Sequence, residues 1–320
     1  RSIKKSLLVQ KQRRYEMQQI RSALSLFNGI SGLHLALDKA QINVEQVYYS
    51  EIDKFANKVT EQRYPNDIAL GDVTKWKEWD IDWSSVDLVS AGFPCQAWSV
   101  AGKQLGDKDE RGMLFWTTLD IIKTVLEHNP KAKFLMENVK MKKDFEEYIT
   151  HHTTEALGYV EKTLINSALV SAQNRQRYYW TNFDVTQPED KGILLKDVLE
   201  EDVNTKWVID TNKQNFIETL LIEAKKHKGI YPTQLGNSKQ FGNSIGFKNK
   251  AFTLRASNPN GVLLCNTETK FRKLTPLECE RLQTVPDNWT ECLSNTQRYK
   301  SLGNGWTIDV IVHILECAFK

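Results

Sequence analysis

Asp87-Leu-Val-Ser-Ala-Gly-Phe-Pro-Cys-Gln-Ala-Trp-Ser99 is the stretch on which the reading of this chain turns. Leu88 to Ala91 are small or branched, the composition of a strand buried on both faces of a parallel sheet. Gly92 breaks the strand and Pro94 stiffens the turn, so Cys95 rides on a short rigid loop at the carboxyl edge of a sheet. Ligands of open α/β sheets bind at such edges. A lone cysteine is most often a small buried hydrophobe, so its neighbours decide whether this one has chemistry.

Upstream, Ala23-Leu-Ser-Leu-Phe27 reads as a first strand, Asn28-Gly-Ile-Ser-Gly32 as a turn and Leu33 to Ala40 as an amphipathic helix. Strand, glycine turn and helix open a nucleotide-binding half. About twenty residues later Gln46 to Ser50 reads as a second strand ending at Glu51-Ile-Asp53. An acid at this offset is placed to accept hydrogen bonds from ribose hydroxyls, although taken alone it would be a surface carboxylate. Ile68-Ala-Leu-Gly-Asp-Val73 is a third strand end. The three turns fit successive βα units and together point to an adenosine site.

Downstream, the charged, glycine-punctuated Gln104 to Gly112 reads as a mobile loop. Phe115, Leu119, Ile122 and Leu126 mark one buried helix face. Lys133-Phe-Leu-Met-Glu-Asn-Val139 is the next strand, and Glu137, where the apolar run stops, is either a helix cap or a catalytic carboxylate. Phe145, Ile149 and Leu157 are inward positions of the helix after it. Leu164 to Val170 and Tyr178 to Phe183 read as strands flanking Gln173-Asn-Arg-Gln-Arg177. Arg175 and Arg177, two apart on an extended segment, point the same way, which suits an anionic or carbonyl-bearing ligand. Residues 206–270 are polar and irregular, with strand-like pieces at Ala251 to Arg255 and Gly261 to Cys265. Thr275, Pro276 and Glu278 form a helix start with a capping box. An apolar helix follows Leu302-Gly-Asn-Gly-Trp306.

At 320 residues the chain is long enough for one large domain and a smaller one. No apolar run approaches the ~20 residues that a membrane-spanning helix needs, and the polar, basic beginning lacks a signal peptide's apolar segment. An intracellular protein is expected, cytoplasmic and nucleoid-associated if bacterial or phage, nuclear if eukaryotic. Five scattered cysteines without a Cys-x-x-Cys pair suggest neither disulfides nor zinc, and His151-His152 reads as a solvated helix face, so no metal is expected. Net charge is +3 but unevenly placed. Residues 1–24 carry seven Lys/Arg against Glu16 alone, and residues 206–272 carry eleven against four acids. The first is read, over residues 1–21, as a basic arm, and the second suits phosphate contact.

Gly92-Phe-Pro-Cys-Gln-Ala-Trp-Ser99 resembles the nucleophile loop of the DNA (cytosine-5)-methyltransferases, and further motifs follow in that family's order. Phe27, Gly29 and Gly32 match its first glycine turn, with Ser31 in place of the middle glycine. Asp72 matches the residue that binds the adenine amino group, Glu137-Asn-Val139 the next motif and Gln173 to Arg177 its Gln-x-Arg-x-Arg. Phe252-Thr-Leu-Arg255 resembles the end of its target-recognition region. Leu274-Thr-Pro-Leu-Glu278 with Arg281, Gln283 and Pro286 resembles the block that supports the small domain. The Trp306 variant of the last motif is most similar to the animal de novo branch and its bacterial and phage relatives.

The resemblance spans roughly residues 23–320. It implies a Rossmann-like α/β sheet that binds S-adenosyl-L-methionine, formed by residues 22–192 with 296–320, and a smaller β-containing target-recognition domain at 193–295. Phe27, Gly29, Gly32, Glu51, Ile52, Asp72, Val73, Pro94, Asn304 and Trp306 are the implied cofactor residues. Cys95, Glu137, Arg175 and Arg177 are the implied catalytic ones. Double-stranded DNA is the implied partner, a cognate restriction endonuclease acting on the same site is allowed, and a monomer is expected. The implied reaction is methyl transfer to carbon 5 of a flipped cytosine through a Cys95 adduct. The alternatives are an RNA cytosine-5 methyltransferase, whose Cys-Phe-Thr signature is not found, or a noncatalytic homologue, against which the four catalytic-type residues speak.

Overall fold

The structure is a computed structural model and describes residues 19–94, 110–208, 229–234, 244–245, 249–256, 260–265 and 269–320. In chain order its large sheet uses β1 (Gln19–Leu26), β2 (Asn43–Ser50), β3 (Ile68–Ala69), β4 (Val86–Ala91), β5 (Lys133–Val139), β6 (Glu161–Asn166) and β7 (Gln176–Thr181). The helices are α1 (Gly32–Ala40), α2 (Lys54–Arg63), α3 (Glu110–His128), α4 (Lys143–Leu157), α5 (Leu195–Val198), α6 (Pro276–Leu282), α7 (Asn295–Asn304) and α8 (Ile308–Phe319).

The strands lie in the order β3-β2-β1-β4-β5-β7-β6, with β7 antiparallel to both its neighbours and the first five strands parallel. Central strands are apolar on both sides because both faces are covered. Ala23, Leu88 and Leu135 face a core shared with Leu33 and Leu37 of α1, Val59 of α2 and Ile311 of α8. Leu24, Val89, Phe134 and Met136 face the opposite core, closed by Phe115 and Ile122 of α3 and Ile149 of α4. The order turns back between β1 and β4, so the carboxyl ends of these two strands flank the crevice where such sheets bind ligands.

A second, antiparallel sheet has the order β11-β10-β8-β9, from β8 (Gly229–Gln234), β9 (Ser244–Ile245), β10 (Asn260–Cys265) and β11 (Thr269–Lys273). Ala251 to Arg255 is not a strand of either sheet; Ala251 makes one bridge to Gln173, and the segment straps the two parts together. The expected capping box is present: Thr275 Oγ1 accepts from the Glu278 N–H, and Glu278 accepts from the Thr275 N–H. Glu278 also pairs with Arg272 of β11 at 2.7 Å.

Several boundaries move. β1 begins at Gln19, so the last residues of the expected basic arm belong to the sheet. α3 begins at Glu110, making the end of the expected 104–112 loop helical, while its earlier residues lie outside the described residues. β6 stops at Asn166, whose side chain accepts the Ala168 N–H and caps a 3-10 turn over Ser167–Leu169. The range 193–295 ends in a segment docked on the large domain: Trp289 Nε1 donates to the Ile30 carbonyl at 3.0 Å, and Lys58 donates to the Cys292 carbonyl at 3.0 Å. His151 and His152 both approach Glu155 along α4, at 3.2 and 3.0 Å.

Candidate active site

At the carboxyl ends of the parallel strands lies a cavity of about 540 Å³. It brings together Phe27, Gly29, Glu51, Ile52, Asp72, Val73, Pro94, Glu137, Arg175, Arg177 and Asn304. These come from segments spread from Phe27 to Asn304, and those before β6 meet because every strand of the parallel half ends at the same edge. Gly32 and Trp306 stand behind the lining rather than in it. Cys95 lies outside the described residues, immediately after Pro94.

The first turn is built from left-handed residues: Phe27 (φ 56°), Gly29 (φ 56°) and Ser31 (φ 65°). Ser31 is fully buried, and its hydroxyl turns into the protein, donating to Thr60 Oγ1 at 2.8 Å. Asn28 Nδ2 donates to the same oxygen at 3.0 Å. Glu51 locks this turn to the next: Oε2 accepts the Gly29 N–H, and Oε1 accepts the N–H groups of Ile52 and Asp53, all at 2.8 Å. Each carboxylate oxygen can accept more than one hydrogen bond, which leaves capacity for ribose hydroxyls. Ile52, beside it, is 77% exposed at the cavity mouth. Asp72 caps the 3-10 turn Val73–Glu78, with Oδ1 accepting from Thr74 N and Oγ1 at 2.9 Å.

Asp53 and Lys300, left unassigned by sequence reasoning, also line this cavity. Asp53 caps α2 by accepting the Phe55 N–H, and it also accepts from Lys300 Nζ of α7 at 2.7 Å. Burial alone would raise the Asp53 carboxyl, but Lys300 and the backbone N–H groups outweigh it and hold it below the usual range. Asp before a helical run was a legible cap signal; nothing local announces Lys300.

Glu137 and Arg177 form a second charged pair in the cavity, in addition to Asp53 and Lys300. Glu137, buried, has Oε1 3.0 Å from Arg177 Nε, and its Oε2 accepts from Trp306 Nε1 at 3.0 Å. Asn138, also unassigned from sequence, donates to the Phe93 carbonyl at 3.2 Å and so ties the segment that follows β4 to β5. Arg175, expected to support Arg177, is held by the backbone. It touches the cavity, but its guanidinium donates to the carbonyls of Leu254, Gly303 and Gly305 at 3.2, 3.3 and 2.9 Å, because its position just before β7 aims it at the strap and the end of α7. A second cavity of about 370 Å³ adjoins the first across Arg177 and is lined by Lys140, Arg255, Asn174, Gln176 and Thr253, with Val139 and Phe252. Burial pulls the Arg255 guanidinium down.

Residues 22–320 match the family described as C-5 cytosine-specific DNA methylase. The chain belongs to that family. The methylase is 33% identical over 311 residues to the type II methyltransferase M1.ScrFI of Lactococcus lactis subsp. cremoris, covering 92% of this chain and 76% of that one. It is 31% identical over 317 residues to M.HhaI of Haemophilus parahaemolyticus, covering 91% and 92%. Among solved structures, the Entamoeba histolytica methyltransferase EhMeth superposes with a TM-score of 0.68 at 16% identity, covering 94% of this chain and 98% of that one. At that identity the likeness speaks to the fold.

The methylase transfers a methyl group from S-adenosyl-L-methionine to carbon 5 of cytosine in DNA. The cavity suits that donor: its volume lies in the range of small-molecule sites, and Glu51 and Asp72 offer fixed acceptors at one end. Among the described residues no helix is long and apolar enough to cross a membrane.

Proposed function

We propose that a cytosine taken out of the duplex enters the inner end of the cavity, where Cys95, Glu137 and Arg177 act on it while the outer end holds the cofactor. The observation that carries this is the shared lining: Pro94, Glu137 and Arg177 bound the same cavity as Phe27, Glu51, Ile52, Asp72, Val73 and Asn304. Cys95 follows Pro94 directly in the sequence. Gly29 supports the cofactor end as a turn residue, and Gly32 and Trp306 support it from behind.

Carbon 5 of cytosine is a poor nucleophile, and addition of the Cys95 thiolate at carbon 6 makes the ring enamine-like. Glu137, sharing a proton at ring nitrogen 3, takes up the charge that develops, and Arg177 holds the base carbonyl. Bound S-adenosyl-L-methionine supplies the methyl group on a sulfonium. Once the carbon 5 to methyl bond has formed, a base removes the carbon 5 proton, the carbon 6 to sulfur bond breaks and the thiolate returns. Flipping the base costs a few kcal/mol, offset by phosphate contacts of the basic segment 206–272 and of Lys140 and Arg255 in the second cavity.

Fluorine at carbon 5 cannot leave as a proton does, so DNA carrying 5-fluorocytosine should accept the methyl and remain bonded to the protein. A denaturing gel should show a cofactor-dependent protein–DNA band with the wild type and none with Cys95→Ser. The same band in the serine variant would remove Cys95 from the mechanism.

The division of labour follows the charge: residues 22–192 with 296–320 perform the chemistry, and 193–295, through its basic part, reads the target sequence by groove contacts. Grafting residues 206–270 from a relative with a different target should transfer that target; an active chimera with the original site would overturn the assignment. The same reading takes the enzyme as a monomer working in the compartment that holds the DNA, with room for a cognate endonuclease acting on the same site.

A further inference from the structure

Trp306 does not line the cavity, yet its indole N–H meets a carboxylate that does. Glu137 is held from two sides by donors of different kinds: Trp306 Nε1 at Oε2 and Arg177 Nε near Oε1, each at 3.0 Å. Arg177 borders both cavities and carries five N–H groups, so a bound base or phosphate competes with Glu137 for it. Trp306 has a single donor, and it is given to Glu137.

The indole is also seated. A Cβ on Gly92 would come within 2.9 Å of Trp306 Nε1 and 3.3 Å of Glu137 Oε2, and one on Gly32 within 3.4 Å of the ring. Gly92 has no left-handed backbone to require glycine; what it supplies is space for the ring. Gly32 opens α1 and Gly92 follows β4, so the indole is wedged between the first turn and the end of β4. Packing therefore sets the direction of its N–H.

We infer that Trp306 is a positioning residue: it fixes the orientation of the Glu137 carboxylate while Arg177 turns to the substrate, so that a remaining lone pair of Glu137 stays aimed at the cytosine. The inference rests on the reading that Glu137 acts on the base. Without the indole N–H, the terminal torsion of Glu137, which is intrinsically broad, follows Arg177 instead.

Trp306→Phe keeps an aromatic ring in the slot and removes the donor. The expected result is a fall in kcat of about tenfold or more, as for loss of a hydrogen bond to a charged group. The phenyl ring keeps the packing against Gly32 by which Trp306 supports the cofactor end, so the Kd for S-adenosyl-L-methionine, by calorimetry, should change less than about twofold, which also reports an intact fold. In single-turnover methyl transfer, Trp306→Phe added to Glu137→Ala should slow the reaction no further, because the group it acts through is gone. An unchanged kcat in Trp306→Phe, a cofactor Kd weakened about tenfold, or losses that multiply in the double variant would each overturn the inference. A wild-type rate in Glu137→Ala alone would overturn the reading of Glu137 itself and the inference with it, a result distinct from the other three.

Discussion

Arg175 Nη2 donates to the carbonyl of Gly305 at 2.9 Å, so an arginine expected to grip the substrate holds the C-terminal segment against the cavity wall. The same guanidinium reaches Leu254 and Gly303, and its side chain is buried. Arg175→Ala takes this donor from the carbonyls of Leu254 and Gly303 at roughly 1–3 kcal/mol each, while the Gly305 carbonyl keeps Gln283 Nε2 at 3.1 Å. Denaturant unfolding should therefore show a loss of about 2 kcal/mol or more. Arg175→Lys, with a point charge in place of the planar fork, should lose less. A stable Arg175→Ala protein that is merely inactive would restore the substrate-gripping role.

Asp72 combines a cap with a cavity-facing acceptor. Asp72→Ala should weaken S-adenosyl-L-methionine binding by about tenfold, the scale of one charged hydrogen bond, and cost about 1 kcal/mol through the lost cap. Asp72→Asn keeps a capping oxygen and should preserve stability. Calorimetric titration of both variants separates the two effects, and unchanged affinity in Asp72→Ala would count against this end of the cavity.

Ser31 sits at φ 65° with a buried hydroxyl bonded to Thr60. Glycine would relieve a left-handed strain of about 1–2 kcal/mol and forfeit a hydrogen bond of about 1 kcal/mol, two terms of opposite sign. Ser31→Gly should therefore fall within about 1 kcal/mol of wild type. Ser31→Ala keeps the strain and loses the bond, so its melting temperature should be the lower of the two. The reverse order would mean that the hydroxyl is irrelevant to the turn.

Asp309 anchors the start of α8 by pairing with Lys39 and, at 3.0 Å, with Lys191. Burial alone would raise its carboxyl, but the two lysines hold it below the usual range. A depressed folded value means stability present above the unfolded value of about 3.9 and lost as pH falls through the folded one. Asp309→Asn should be less stable than wild type near neutral pH, and the gap should close below about pH 4. A gap independent of pH would show that the carboxylate's charge is not what stabilises the helix.

The fold was legible where its signals are local. Leu88 to Ala91 followed by Gly92 and Pro94, the Asn28 to Gly32 turn, Glu51 at the end of an apolar run and the Thr275/Glu278 box each depend on residues within a few positions. Because parallel strands all end at one edge, reading the strand ends also located Phe27, Glu51, Asp72 and Glu137 at one cavity. What those side chains do there was decided by contacts between segments that sequence patterns do not relate. Trp306 reaches Glu137 across 169 positions, Lys300 reaches Asp53 across 247, and Arg175 is drawn to Gly305 across 130. Local periodicity reports which face of an element is apolar. Only the packing of α7 and the Arg255 strap, so close that a Cβ on Gly303 would lie 2.3 Å from the Arg255 carbonyl carbon, determines which polar group each side chain meets.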